Sequence, residues 1–347
     1  MFPFFARRHR NFVARHLLPL GAGLVLLCSL AASAAAHEPL RAEVETFIGE
    51  MVRKHGFEAE ALRRVFRQVQ SRPAVIRAMA APATARPWYE FRSRHLTAAR
   101  IAEGVEFWKR NAATLARASR DFGVPEEIIV AIIGIETHYG RDTGRFKVLE
   151  ALATLAFDYP PRAEFFGREL EQYLLLAREE GLDLLGVQGS YAGAMGIAQF
   201  LPSSYRRYAI DFDGDGRRRL GSSVADAIGS VANYLQAFGW QRDAAIAVPA
   251  DAGASEVDTA MTAAGLKPGI RVGELRRSGI TPLAPVNDDI AAALFSVETE
   301  TGPRYWLGLQ NFYVITRYNR SINYAMAVRD LAHELRARLE AGKVAAE

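Results

Sequence analysis

The stretch AIIGIETHYG, residues 131–140, carries one acid, Glu136, at the end of an apolar run from Ile128 to Ile135. Desolvation penalises the charged form of a carboxyl group, and the negative end of a helix dipole acts in the same direction, so Glu136 is expected to keep its proton near neutrality. A carboxyl in that state suits general-acid donation to a leaving oxygen. The alternative is a structural glutamate paired with a nearby arginine such as Arg141.

Two further stretches add polar groups to an apolar setting. In GVQGSYAGAMGIAQFLPSSY, residues 186–205, Gly189, Gly193 and Gly196 leave room for a ligand to approach backbone, and Ser190, Tyr191 and Gln199 supply hydrogen-bonding groups. No phosphate loop fits, because the lysine and the preceding strand are missing. In NFYVITRYNRSINYAMAV, residues 311–328, Tyr313, Tyr318, Asn319 and Tyr324 crowd together. Such tyrosines suit either a core or the faces of sugars. Trp88 and Tyr89 either extend a groove or anchor a surface helix. The seven histidines form no ligand-spaced pair and His138 sits outside any HExxH arrangement, which disfavours a zinc enzyme.

A different chemistry is written in DFDGDGRRRLGSSVAD, residues 211–226. Asp211, Asp213 and Asp215 take loop positions 1, 3 and 5 of an EF-hand, Gly216 position 6, and the Arg217 carbonyl position 7. Ser222 stands where a bidentate glutamate belongs, and Arg217, Arg218 and Arg219 partly neutralise the loop. Weak, structural cation binding is expected, with no catalytic role and no cofactor for catalysis. Asp226 also has capping-box spacing from Ser223.

These groups need a scaffold, and 347 residues with 50% apolar content can bury one. The spacing predicts helices in which Val44, Phe47, Ile48 and Met51 share a face, then Leu62, Val65, Phe66 and Val69, then Ile101, Val105, Trp108, Ala112 and Leu115. Phe166 to Ala177, Val224 to Phe238 and Tyr324 to Leu339 repeat the pattern. Pro125 opens the helix that carries Glu136, and Gly140 closes it. Between about 241 and 312 the runs AIAVPA, AALFSVET and YWLGL indicate short strands. The fold class is mainly α (α+β): a helical core over 37–240, containing the loop 211–226, a small mixed α/β subdomain over 241–312, and a return segment with a final helix over 313–347.

Four arginines, Arg7, Arg8, Arg10 and Arg15, are the only charged residues before position 37; without them basic and acidic side chains balance at 39 each, although the whole chain has a formal charge of +4. The body therefore offers no polyanion-binding charge, and no nucleic-acid partner is expected. An uncharged stretch from Leu17 to Ala36 follows the arginines and ends in small residues, as in a Sec-type signal peptide over 1–36; an uncleaved inner-membrane anchor is the alternative. Cys28 follows LVLL, which does not suit lipidation, so a soluble periplasmic protein without disulfides is expected.

Five blocks, GVPEEIIVAIIGIETHYGR, LATLAFDYPPRAEFF, GSYAGAMGIAQFLPSSY, DAIGSVANYLQAFGW and ITRYNRSINYAMAV, resemble in order the conserved blocks of the lytic murein transglycosylase B family. The resemblance spans about Trp88 to Leu331. It implies a lysozyme-like fold and cleavage of the MurNAc–β-1,4–GlcNAc bond of peptidoglycan with formation of a 1,6-anhydro-muramic end. Glu136 would be the sole acid/base. Ser190, Gln199 and Asn319 would surround the cleavage subsite, and Tyr191, Tyr234, Tyr318 and Tyr324 would line the groove. Arg162 matches the second of two arginines suited to a peptide or lactyl carboxylate; Pro161 replaces the first. Asp226 matches a distant acidic ligand, completing a Ca2+ set with Asp211, Asp213, Asp215 and Arg217. The implied partners are peptidoglycan glycan strands, with wall-synthesis or division complexes left open, and a monomer is expected. A hydrolytic muramidase and a non-catalytic wall-binding protein are the competing functions.

Overall fold

The helix Glu126–Thr137 is apolar on almost every side, which only a site enclosed by other helices can accept. In the computed structural model, which describes residues 39–81, 86–252 and 265–344, that helix is packed by Ala98–Arg110, Ala112–Phe122, Val224–Ala237 and the long helix Ile322–Val344. Ile129, Ile132 and Ile133 are fully buried, each contributing roughly 1.5–3 kcal/mol. Gly134 and Gly104 are small because Tyr139 folds against both: a Cβ on Gly134 would meet the Tyr139 ring at 2.6 Å.

The pattern from Ile101 to Leu115 reads as one helix, but the chain makes two. Asn111, at φ −114° and ψ 19°, turns its side chain back to donate to the Phe107 carbonyl at 2.8 Å. A side chain that bonds its own backbone competes with the helix, and the second helix sets off from Ala112.

The helices Val148–Asp158 and Ala163–Glu180 form a pair joined by a single turn of 3-10 helix at Pro160–Arg162. The helices Ala42–His55 and Ala59–Phe66 close onto this pair through Phe47, Phe66 and Phe157, whose rings meet edge to face at 5.9–6.5 Å.

Seven strands are described, β1 Phe146–Lys147, β2 Gln188–Gly189, β3 Ala247–Asp251, β4 Ile270–Arg271, β5 Thr281–Pro282, β6 Ala291–Thr299 and β7 Gly302–Gly308. The last five form one antiparallel sheet in the order β4-β6-β7-β3-β5. Alternation along β6 divides its side chains between two cores: Phe295 and Val297 join the main helical core, while Ala292 and Leu294 join a small one with Val272 and Leu275 of the short helix Val272–Arg277. Helical core and sheet belong to one compact unit, Leu40–Glu347. Among the described residues no helix is long and apolar enough to cross a membrane. The expected leader over 1–36, with Cys28, lies outside the described residues.

Candidate active site

Glu136 occupies the last turn of the helix Glu126–Thr137, and the chain then leaves through two left-handed residues, His138 at φ 51° and Tyr139 at φ 61°. Thr137 fixes what comes next. Its buried hydroxyl lies 2.9 Å from the Ile197 carbonyl and 3.2 Å from the Ile133 carbonyl, and it accepts from the Gly140 amide at 3.0 Å. One side chain thereby ties the helix end to the loop 188–200.

That loop is held from the other side by pairing of β1 with β2 and by bridges from Met195 to Gly189 and Phe200. Its glycines serve the protein's own packing. An added Cβ would strike the Ala194 carbonyl at Gly189, Leu152 at Gly193 and the Leu220 carbonyl at Gly196. The space read from the sequence as room for a ligand is filled by protein. Gln199 adopts a left-handed conformation, φ 49°, and its amide donates to the carbonyls of Thr143 at 3.0 Å and Gly196 at 2.9 Å. The Ser190 oxygen accepts from the Ala192 and Ala194 amides at 3.2 and 3.0 Å. Both side chains brace the loop, while Tyr191 is half-buried against the core.

From the far end of the chain, Tyr324 donates its hydroxyl to Glu136 Oε1 at 2.6 Å. Tyr324 stacks nearly parallel to Tyr318, with centroids 6.4 Å apart, and Tyr318 meets Tyr234 edge-on at 4.9 Å. Phe200, to which the sequence pattern gave no role, lies 5.7 Å from Tyr318 and 5.4 Å from Tyr234. The Tyr318 hydroxyl donates to the Ala198 carbonyl at 2.5 Å, and the buried Tyr234 hydroxyl to the Arg317 carbonyl at 2.6 Å. Asn319 ends the helix Gln310–Tyr318 and sits in the turn leading to Tyr324. The signal for Phe200 and Thr137 was adjacency: each follows directly on a residue singled out for its chemistry.

The electrostatics are lopsided. Glu136 is only half-buried as a residue, yet its carboxyl is crowded, and desolvation pushes its pKa up to about 7 against the smaller, opposing effect of the Tyr324 hydrogen bond. Burial and the neighbouring Glu136 hold Tyr324 and Tyr318 well above the usual phenol range, so both hydroxyls stay protonated. Among the described residues no cation pairs with Glu136; Arg141 goes to Glu103 at 2.6 Å instead. Arg162 is exposed, 4.5 and 4.9 Å over the rings of Phe165 and Phe166.

The acidic loop gathers Asp211, Asp213 and Asp226, with one carboxylate oxygen of each within 4.8 Å of the others. Asp226 is fully buried and accepts from the amides of Phe212 at 2.8 Å, Asp213 at 3.3 Å and Arg219 at 2.8 Å. Ser223 caps its helix through the Asp226 amide at 3.1 Å, so the capping box is half made, with the Asp226 side chain turned to the loop. Asp215 is engaged by Arg219 in an ion pair, and its Oδ1 accepts from the Arg217 amide. Three convergent carboxylates, one of them buried, suit a hard divalent cation; Asp215 does so less.

A half-buried acid at a helix end, donated to by a phenol and walled by aromatic rings, fits glycosidic chemistry, and similarity to known proteins bears directly on it. The family model described as Transglycosylase SLT domain matches residues 39–333. The chain belongs to the SLT transglycosylase family. Membrane-bound lytic murein transglycosylase B of Escherichia coli (strain K12) is 45% identical over 297 residues, 83% of this chain and 81% of that protein. Among solved structures, the catenated lytic transglycosylase SltB1 from Pseudomonas aeruginosa is 46% identical with a TM-score of 0.81, covering 86% of this chain and 99% of that one. E. coli Slt35 in complex with calcium is 43% identical, TM-score 0.78, covering 86% and 94%. P. aeruginosa SltB3 in complex with NAG-NAM-pentapeptide is 32% identical, TM-score 0.72, covering 85% and 79%. The fold is thus that of the lysozyme-like lytic transglycosylases, enzymes that cleave glycosidic bonds of murein, with a small sheet subdomain added to the helical core.

Proposed function

We propose that this transglycosylase cuts the MurNAc–β-1,4–GlcNAc bond and closes the muramic residue to its 1,6-anhydro form, with Glu136 as acid and then base. The observation that carries the reading is a carboxyl with a pKa near 7 whose only side-chain partner among the described residues is the Tyr324 hydroxyl. Two-carboxylate glycosidases need a second acid about 5 Å or more away; among the described residues no other carboxyl group shifts the titration of Glu136. The substrate supplies the missing parts. Protonated Glu136 donates to the glycosidic oxygen as the C1–O bond breaks, and the 2-acetamido oxygen stabilises C1. The C6 hydroxyl then attacks C1 and returns its proton to the Glu136 carboxylate. No water is consumed and the acid is regenerated.

In this scheme Ser190 and Asn319 orient the acetamido group, while Gln199, Tyr191, Tyr234, Tyr318 and Tyr324 shape the wall of the groove. Arg162, exposed over the rings of Phe165 and Phe166, would meet a peptide or lactyl carboxylate. Ca2+ is the proposed occupant of the acidic loop, held by Asp211, Asp213, Asp226 and the Arg217 carbonyl, with Asp215 weakened by Arg219. Its role is to hold the loop, and no step of the reaction passes through it. The proposed location is the periplasm, where glycan strands are the substrate.

The test is mass spectrometry of purified sacculi after digestion. Anhydro-muropeptides are expected. Reducing-end muropeptides would show that water is the acceptor, and an undigested wall would remove the enzymatic reading.

A further inference from the structure

A cavity of about 590 Å³ opens beside the turn that carries Asn319, lined among others by Arg86, Trp88, Ser296, Glu298, Arg320 and Asn323. Its size falls in the range of small-ligand sites. One wall is the turn Arg320–Asn323, which directly joins Asn319 to Tyr324; a second is β6; the third is the start of the helix Trp88–His95. Asn323 fastens two of these walls by donating to the Arg86 carbonyl at 2.8 Å. Trp88 is 6% exposed and presents an apolar surface, whereas Arg86, Glu298 and Arg320 are exposed. Arg86 shares its charge with Glu90 at 3.1 Å, and among the described residues Arg320 makes no ion pair. The cavity therefore offers two guanidinium groups, one carboxylate and an indole: a surface for a short peptide with more carboxylates than amines.

We propose that this cavity receives the stem peptide of the strand whose sugar is held at Glu136, carboxylates meeting Arg320 and Arg86 and an amine meeting Glu298. This rests on the murein reading above. Arg320 is bonded to Asn319, so their Cα atoms are ~3.8 Å apart, and a four-residue stem extends at most roughly 14 Å. A stem leaving a sugar beside Asn319 thus has the reach to enter the cavity.

The experiment compares glycan chains bearing stem peptides with chains stripped of them by an amidase, using wild type, Arg320→Gln, Arg320→Lys and the double variant Arg86→Gln/Arg320→Gln. Both arginines are exposed, so the variants fold. With stem-bearing chains KM is expected to rise about tenfold in Arg320→Gln and further in the double variant, with Arg320→Lys between, because charged hydrogen bonds are lost. With stripped chains all four proteins should be equal. Equal effects on both substrates, or none on either, would overturn the stem-peptide site. Failure of wild type to release anhydro ends from either substrate would instead overturn the murein reading.

Discussion

At the end of the helix Glu126–Thr137, Glu136 has one hydroxyl donor and, among the described residues, no cation; at the start of the helix Val224–Ala237, Asp226 is fully buried and accepts three main-chain N–H bonds. Two other buried acids resemble Asp226. Glu150 is bound by Arg72 at 2.7 and 3.0 Å, and Glu169 by the Ser203 amide and hydroxyl at 3.0 and 2.6 Å. Where an acid serves the fold, the fold supplies donors that meet its oxygens. Glu136 is starved of them, so desolvation wins and the proton stays. Burial alone does not mark a reactive carboxyl; burial with too few partners does.

The sharpest way to break the contrast is Glu136→Gln. Cleavage is expected to fall about 10³-fold or more with the circular dichroism unchanged. Stability should separate the two proteins as well. The folded pKa of Glu136, about 7, lies above its unfolded value of 4.5, so the wild type loses stability as pH rises through that window and the glutamine variant does not. The stability of the variant relative to the wild type is therefore up to about 3 kcal/mol higher at pH 8 than at pH 4, read by urea denaturation. Parallel stability curves would show that the carboxyl is not desolvated.

Asp226→Asn tests the other side. An amide group now faces main-chain donors, and a loss of roughly 2–4 kcal/mol is expected from buried bonds to a charged acceptor. Added Ca2+ should raise the melting temperature of the wild type by a few degrees and leave this variant unmoved. A calcium response that survives the substitution would place the cation elsewhere. Tyr324→Phe is expected to have the smallest effect, about tenfold on kcat. The hydroxyl stabilises the carboxylate, so its removal raises the Glu136 pKa further and moves the falling limb of the pH–rate profile to higher pH. A limb that stays put or moves to lower pH would deny Tyr324 that role.

The sequence made the helical core readable because Val44, Ile48 and Met51, or Val224, Ile228, Val231 and Leu235, recur at the helical period and pack inward. The strands Ala247–Asp251, Ala291–Thr299 and Gly302–Gly308 lie where β-prone runs stood. The two-residue strands β4 and β5 and the helix Val272–Arg277 were illegible, being too short to show a period. Asn111 hid a helix break inside an unbroken apolar pattern, since a side chain bonding its own backbone leaves the spacing intact. The glycines at 189, 193 and 196 signalled close approach to backbone, which the sequence reading gave to a ligand and which the protein's own atoms make, because a missing Cβ does not identify what fills its place. Glu136 was legible as an acid in hydrocarbon. Its phenol partner was not legible from local pattern, because 188 residues separate the two.

That separation fixes the order in which the surroundings of Glu136 are assembled. A chain halted before residue 319 already possesses the acid, the acidic loop, most of the helical scaffold and the rings of Tyr234 and Tyr318, but lacks Tyr324, whose hydroxyl and ring complete the surroundings of Glu136. The helix Ile322–Val344, which packs on the helix carrying Glu136, is thus the last piece of the acid's surroundings to be made, an order set by chain topology.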